Sequence, residues 1–375
     1  MMKVLVVFGT RPEAIKLAPV IKKLTHHSAF TIKTCVTAQH RSMLDQVLSL
    51  YDILPDYDLD IMMANQSLID IMHRVMNGLD EVFTQFQPDW VLVQGDTSTT
   101  FAASLAAFYK KISVAHIEAG LRTHNTYSPW PEEMNRQMTT RISNLHFAPT
   151  ALAKKNLLQE GIAEDKIVVT GNTVIDALLE RVDYIQSNEN IALKLNQLFP
   201  FLDEKRKLIL VTSHRRENFG KGLEQVCRAL LQLASREEVQ VVYPVHLNPN
   251  ISEPVNALLA NKKNIYLLNP LDYLPFVYLM MKSYLIITDS GGIQEEAPSL
   301  GKPVLVVRDT TERVEGLMAG TTKLVGTNVA SIIQHAEMLL DDSEKYKEMS
   351  MASNPYGDGK AAYRIVERLQ NESRV

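Results

Sequence analysis

Short apolar runs recur along the chain, separated by longer stretches whose apolar positions repeat with helical spacing. The runs predict strands at Val4–Phe8, Thr31–Thr37, Trp90–Gln94, Ile112–Ile117, Leu145–Ala148 and Ile167–Thr170. A second series follows at Leu208–Thr212, Gln240–Val245, Ile265–Leu268, Tyr284–Thr288, Val304–Arg308 and Lys323–Val325. Strands alternating with helices predict parallel sheets covered by helices on both faces, here twice over. The fold class is therefore α/β, with two Rossmann-like doubly wound domains. Between the series lies Asn172–Lys207, helical in pattern and rich in charge, and the boundary is placed near Gly171–Asp176. After the turn-forming Asn354-Pro355-Tyr356-Gly357, Gly359–Gln370 predicts an amphipathic helix. Two such domains bind ligand beyond the carboxyl ends of their strands, facing one another across a cleft that should close on its ligand.

Size agrees with this division, because 375 residues exceed what one hydrophobic core usually holds. Hydrophobic residues are 46% and charged residues 22%, the balance of an ordinary globular protein. The net charge of −4 comes without a long basic stripe, which argues against a nucleic-acid partner. Cys35 and Cys227 lie inside apolar runs and predict buried thiols rather than a disulfide, as in a reducing compartment. The run Val4–Phe8 is too short for a signal peptide, and no later run reaches membrane-spanning length. The expectation is a cytoplasmic protein with no membrane partner. No His, Cys, Asp and Glu cluster has metal-ligand spacing, so no metal is expected. No G-x-G-x-x-G follows a strand, which counts against a nicotinamide cofactor, and none of any kind is expected.

The densest chemistry lies in Tyr284–Arg313, where an apolar strand ends in Asp289-Ser290-Gly291-Gly292 and a helical stretch follows from Ile293. Two glycines at a strand-to-helix turn let backbone N–H groups approach a phosphate. Glu296, a helical turn further on, would repel phosphate but suits a ribose diol, and Arg313 follows in the loop after the next strand. In the first series, Phe8-Gly9-Thr10-Arg11-Pro12-Glu13 opens a helix with a capping box of Thr10 and Glu13. Capping does not account for Arg11 and Lys16, two cations that oppose the helix dipole unless an anionic ligand binds there. Asp96, in GDTSTT, serves either as a helix N-cap or as an acid/base group. Glu118 ends an otherwise apolar strand, an unusual place for a carboxylate. Glu132, in the first turn of the helix opened by Pro131, either matches the dipole or works as a base. Asp96 and Glu118, both at strand ends, together favour paired acid/base chemistry. In the second series, Ser213-His214-Arg215-Arg216 follows a strand and reads as a clamp for a departing phosphate, or as a solvated loop. His246 stands at another strand end, and Phe276 either stacks on a base or packs in the core.

These stretches together closely resemble the bacterial non-hydrolysing UDP-N-acetylglucosamine 2-epimerase family. The resemblance rests on FGTRPEAIK (8–16), TAQHR (37–41), GDTSTT (95–100), HIEAGLRT (116–123) and YSPWPEEMNR (127–136). It continues through TGNTVIDAL (170–178), SHRRENFG (213–220), YPVHLNPN (243–250), TDSGGIQEEAPSLGKPV (288–304), RDTTER (308–313) and NPYGDG (354–359). It implies the glycosyltransferase B-type arrangement: an N-terminal domain over 1–171 carrying the acid/base residues, a UDP-binding domain over 172–357, and a C-terminal helix over 358–375 returning to the first. It also implies interconversion of UDP-GlcNAc and UDP-ManNAc without NAD, by a homodimer feeding cell-surface polysaccharide synthesis. Carried over by position, Arg11, Lys16, Asp96, Glu118, Glu132 and His214 match the family's catalytic or sugar-site residues. Phe276, Ser290, Gly291, Gly292, Glu296 and Arg313 match its UDP contacts, with Leu271 beside the uracil pocket where Gln is frequent. The implied reaction is elimination of UDP to 2-acetamidoglucal followed by re-addition.

Other departures are Gln94 and Ser98 for a His and a Thr, Ser213 for Ala or Gly, and Val314 for Pro. None removes a charge. A second, activating UDP-GlcNAc site in the family would draw here on Gln39, Arg41 and His246. Ser42 and Asn65 stand where longer Gln and Arg side chains occur, so weaker activation is expected. Two rival functions are a UDP-sugar glycosyltransferase of the same fold and a non-catalytic nucleotide-sugar sensor. Neither gives a role to three carboxylates around the sugar.

Overall fold

The first series of apolar runs forms a seven-stranded, all-parallel sheet among the described residues. Its strands are β1 (Met2–Phe8), β2 (Phe30–Val36), β3 (Tyr57–Asp58), β4 (Trp90–Gln94), β5 (Ser113–Ile117), β6 (Leu145–Ala148) and β7 (Ile167–Val169). Their spatial order is β3-β2-β1-β4-β5-β6-β7. The second series forms a six-stranded parallel sheet of β8 (Lys207–Thr212), β9 (Val239–Pro244), β10 (Ile265–Leu268), β11 (Leu285–Thr288), β12 (Val304–Val306) and β13 (Thr322–Leu324). Its order is β10-β9-β8-β11-β12-β13. The computed structural model describes residues 1–38, 41–63 and 66–372, leaving aside the side chains of 41–43.

The expected α/β class with two Rossmann-like sheets is borne out. Each expected strand is present, with its ends moved by at most a few residues. Strand β3 was not foreseen: Tyr57–Asp58 is too short to carry a period and is recruited by pairing with Cys35 and Val36. The central strands explain why periodicity worked. Trp90, Val91, Leu92 and Val93 are all buried, because helices cover both faces and every position must be apolar. Each such Val or Leu stabilises the fold by about 1.5–3 kcal/mol through burial. Cys35 and Cys227 are free and buried, as expected, and burial pushes each thiol up to about 12.

The chain divides into two compact units, one of Met1–Ala177 with Tyr356–Val375, the other of Leu178–Pro355. Within the first unit, Asp176 accepts the N–H groups of Ala361 (3.1 Å) and Ala362 (2.9 Å) and so caps the helix Ala361–Glu372. Gly357 precedes that helix with φ of +143°, a backbone state that suits glycine. In each sheet the strand order reverses beside the first strand of the series, between β1 and β4 and between β8 and β11. Loops leaving the carboxyl ends diverge there, and open parallel sheets bind ligands at such points.

Candidate active site

In the first unit the sheet neighbours β1, β4 and β5 bring three motifs to one edge. Lys16 comes from the helix Arg11–Thr25 after β1. Its Nζ lies 2.5 Å from Oε2 of Glu118, just past β5, and Gln94 at the end of β4 donates Nε2–H to the same oxygen at 2.5 Å. Glu118 is buried and has φ of +66°, a left-handed state that is strained for a residue with a Cβ.

Asp96, two residues beyond Gln94, is held differently. Arg136, buried in the helix Glu132–Ile142, donates to its Oδ2 at 2.5 Å, and the Asn135 amide donates to its backbone carbonyl at 2.9 Å. Arg136 also reaches Glu133 at 3.1 Å. The same helix carries Glu132, whose Oε2 is buried with no hydrogen-bond partner among the described residues. Two carboxylates at neighbouring strand ends and one on this helix therefore have three settings: Glu118 tied to Lys16, Asp96 to Arg136, and Glu132 with an open lone pair. Pro131 stands at the N-cap position without a side-chain capping bond, and Arg136 ties the helix to Asp96 and Glu133.

Glu13 turns out to be more than half of a capping box. It is 1% exposed and accepts from the Gly9 N–H (2.9 Å), Thr10 N–H (2.8 Å), Thr97 Oγ1 (2.6 Å) and Thr100 Oγ1 (3.1 Å). It thereby ties the loop of Arg11 to the loop of Asp96. Burial pushes its carboxyl above the usual range, against the pull of those donors. Gly9 fits because a Cβ there would stand 2.1 Å from Thr37 Oγ1.

In the second unit, β8, β11 and β12 are neighbours. Ser290 stands at the N-cap position, without a side-chain capping bond, of a helix that starts at Gly291, two residues before the expected Ile293, and runs as Gly291–Glu296 into a 3-10 turn. Gly291 lies against the Arg313 guanidinium, whose Cζ would be 3.1 Å from an added Cβ. Arg313 bonds Glu295 at 2.8 Å and Glu312 at 3.1 Å. Glu312 also meets Arg308 at 2.7 Å; burial opposes its ionisation, but Arg313 and Arg308 prevail and hold it at about 2. Glu296 is buried and accepts from the Tyr273 hydroxyl at 2.8 Å. Phe276, on the helix Tyr273–Lys282, and Leu271 just before it are half-buried.

His214 follows β8. Its Nδ1 lies 3.3 Å from Oδ1 of Asp289, and its ring stands 6.3 Å from that of His246. Partial removal from water lowers its pKa; Asp289 works against this, while Arg215 and His246 add to it. Gln39 lies outside the described residues, and so does the side chain of Arg41. Ser42 and Asn65 are likewise not described beyond the backbone of Ser42.

Sequence reasoning missed the partners: Gln94, Arg136, Tyr273 and Asp289, together with the wider role of Glu13. Gln94 and Asp289 share the signal that singled out Glu118, a polar residue closing an apolar strand. Tyr273 and Arg136 sit in helices and leave no such mark. No group of three or more His, Cys, Asp and Glu among the described residues could hold a metal ion. Among those residues, no helix is long and apolar enough to cross a membrane. A cavity of about 1100 Å³ opens at the other edge of the first sheet, lined by Met2, Trp90 and Ser113 at the strands' amino ends. It contains none of the candidate residues, so concavity alone does not locate the chemistry.

The family model described as UDP-N-acetylglucosamine 2-epimerase matches residues 22–370. The chain is 58% identical to the UDP-N-acetylglucosamine 2-epimerase of Yersinia pestis and 56% identical to that of Escherichia coli K12, each over 371 residues covering 99% of both chains. Among solved structures it superposes on UDP-GlcNAc 2-epimerase from Neisseria meningitidis bound to UDP-GlcNAc with a TM-score of 0.93, at 56% identity, covering 99% of this chain and 100% of that one. The Methanocaldococcus jannaschii enzyme in complex with UDP-GlcNAc and UDP matches with a TM-score of 0.82 at 34% identity, covering 99% and 100%. By these criteria of length, identity and fold, the chain belongs to the UDP-N-acetylglucosamine 2-epimerase family.

Proposed function

We propose that this protein interconverts UDP-GlcNAc and UDP-ManNAc by inverting carbon 2, without hydrolysing the nucleotide sugar. The observation that carries the reading is the set of three carboxylates in three distinct settings: Asp96 and Glu118 at adjacent strand ends, and Glu132 on the helix whose Arg136 binds Asp96. Inversion at carbon 2 needs proton removal from one face and delivery to the other, hence more than one acid/base group. Carbon 2 beside an acetamido group is a poor acid, so its proton leaves as the bond from carbon 1 to the UDP oxygen breaks. The electron pair of the C–H bond becomes the double bond of 2-acetamidoglucal, and UDP departs with the C–O pair. Re-addition reverses these events with a proton delivered to the opposite face.

In this reading the first domain, 1–171, supplies Arg11, Lys16 and the carboxylates, and the second, 172–357, holds UDP. Ser290, Gly291, Gly292 and Arg313 receive the diphosphate, Glu296 the ribose, Leu271 and Phe276 the base. Arg313 bonds Glu295 and Glu312, which hold the guanidinium beside Gly291. A homodimer in the cytoplasm supplying UDP-ManNAc for surface polysaccharide completes the proposal, together with a second UDP-GlcNAc site drawing on Gln39, Arg41 and His246.

The test is incubation of purified protein with UDP-GlcNAc alone in heavy water, followed by proton NMR. The expected product is UDP-ManNAc carrying deuterium at carbon 2. A glycosyltransferase would leave the substrate untouched without an acceptor, and a sensor would only bind it. Product that retained the substrate hydrogen at carbon 2 would refute exchange through solvent-linked groups.

A further inference from the structure

Asp289 is fully buried, and every group facing it is a donor. Its Oδ2 accepts from Ser213 Oγ (2.8 Å), His214 N–H (3.0 Å), Arg215 N–H (3.0 Å) and Asn218 Nδ2 (3.0 Å). Its Oδ1 takes the His214 N–H at 3.0 Å and faces His214 Nδ1 at 3.3 Å. A carboxylate so surrounded is an acceptor, so Nδ1 of His214 carries a hydrogen and Nε2 presents a lone pair. The side chain is 41% exposed, and we take Nε2, the nitrogen turned away from Asp289, as its ligand-facing edge. Register places the edge: Thr212 pairs with Thr288, so His214 and Ser290 stand equally far beyond the sheet, on adjacent strands.

We propose that Asp289 fixes His214 as a proton-accepting imidazole beside the nucleotide diphosphate, so that binding of UDP carries a solvent proton onto Nε2. The proposal rests on the reading that UDP occupies the Ser290–Gly292 turn. Asp289 is a positioning residue here, and His214 is the group that touches the ligand. The charged and titratable groups around the ring are Asp289 after β11, Arg215 on the same loop, His246 after β9 and Arg308 after β12. Before UDP arrives, partial burial, with Arg215, His246 and Arg308, lowers the ring's pKa against the pull of Asp289. The incoming diphosphate adds negative charge on the open side, and Asp289 supports the imidazolium from the other. No bond other than N–H forms, and the proton comes from water or buffer. On reversal, the proton leaves with the nucleotide.

Calorimetry of the intact protein with UDP, in buffers of different ionisation enthalpy at near-neutral pH, measures proton uptake directly. The wild type is expected to take up a larger fraction of a proton per UDP than His214→Gln, whose exposed ring is replaceable without touching the core. Asp289→Asn, where it folds, should lose the same uptake because its amide reverses the tautomer. Equal uptake in wild type and His214→Gln, with UDP bound in both, overturns the proposal. Should His214→Gln fail to bind, imidazole proton NMR of the wild type decides. A ring that titrates at higher pH with UDP supports the proposal, and no such ring refutes it. Absence of UDP binding by the wild type itself would overturn the nucleotide reading as well, which separates the two failures.

Discussion

Glu13 and Asp289 stand on opposite sides of the switch point in two sheets of the same winding. Each is a buried carboxylate at the point where the strand order reverses; Glu13 gathers donors from two neighbouring loops, and Asp289 gathers all of its donors from the loop after β8. Glu13 reaches from the loop after β1 to Thr97 and Thr100 after β4. Asp289 reaches from the loop after β11 back to Ser213, His214, Arg215 and Asn218 after β8. What they hold differs. The edge around Glu13 carries Asp96, Glu118 and Glu132, suited to moving protons. The edge around Asp289 carries His214, Arg215, Arg308 and Arg313, suited to a polyanion. One fold thus serves two chemistries by changing side chains at the strand ends while keeping a buried acceptor to align the loops.

The strongest break in this comparison is loss of a carboxylate proposed to move protons. Asp96→Asn and Glu118→Gln preserve shape and remove the base, and each should slow turnover by roughly a hundredfold or more. UDP affinity, assigned to the other unit, should change little in calorimetry. In one of the two variants, 2-acetamidoglucal and UDP should accumulate, detectable by NMR. Turnover within a few-fold of wild type would remove that residue from the proton path.

The next largest effect separates the units by pH. His116 and His146 pair across β5 and β6 in the first sheet, both buried. His116 donates to the Gly95 carbonyl at 2.7 Å, and burial brings it down to about 4; burial, aided by His116 and Lys166, brings His146 to about 3. Both rings are neutral when folded, whereas the unfolded rings titrate near 6.5. Their contribution is therefore fully present above about pH 6.5 and is lost as pH falls toward their folded values. Each ring costs about 1.4 kcal/mol per pH unit over that window. Thermal melts between pH 7 and 4.5 should show the first unit weakening steeply, and His146→Phe should flatten the slope. An unchanged slope in that variant would mean another group dominates.

Glu13→Gln tests the two staples against each other. Glutamine keeps the size but turns a donor toward Gly9, Thr10 or the threonines, which leaves at least one donor unpaired. A loss of about 1–3 kcal/mol is expected in denaturant unfolding. Turnover should fall while UDP affinity is retained, because the loops of Arg11 and Asp96 lose their common anchor.

The architecture was legible because parallel strands buried on both faces must be continuously apolar, and helices between them must be amphipathic. Strand β3 was not, since two residues carry no period. The candidate residues were legible where a polar group closed an apolar strand, as Glu118 does, or where a glycine turn led into a helix, as at Gly291. What was hidden is who holds whom. Lys16 and Glu118 are 102 positions apart, and Tyr273 and Glu296 are 23 apart. Such pairs are set by sheet order and helix placement, which no local pattern encodes.

Tyr273 gives the finest test of the proposed nucleotide edge. Its hydroxyl donates to Glu296 Oε2 at 2.8 Å, and both side chains are buried. If Glu296 accepts the ribose diol, Tyr273 holds the carboxylate in place without touching the ligand. Tyr273→Phe deletes one oxygen and leaves the ring's packing intact. UDP should bind about 0.5–1.5 kcal/mol more weakly, the usual worth of one hydrogen bond. A structural defect alone would weaken 2′-deoxy-UDP equally. Positioning of Glu296 predicts instead that the penalty shrinks for 2′-deoxy-UDP, because part of the contact is already gone. The four affinities form a cycle measurable by calorimetry. A coupling of zero would detach Tyr273 from the ribose and leave it a packing residue, whereas a positive coupling would place the ribose at Glu296 without recourse to any relative.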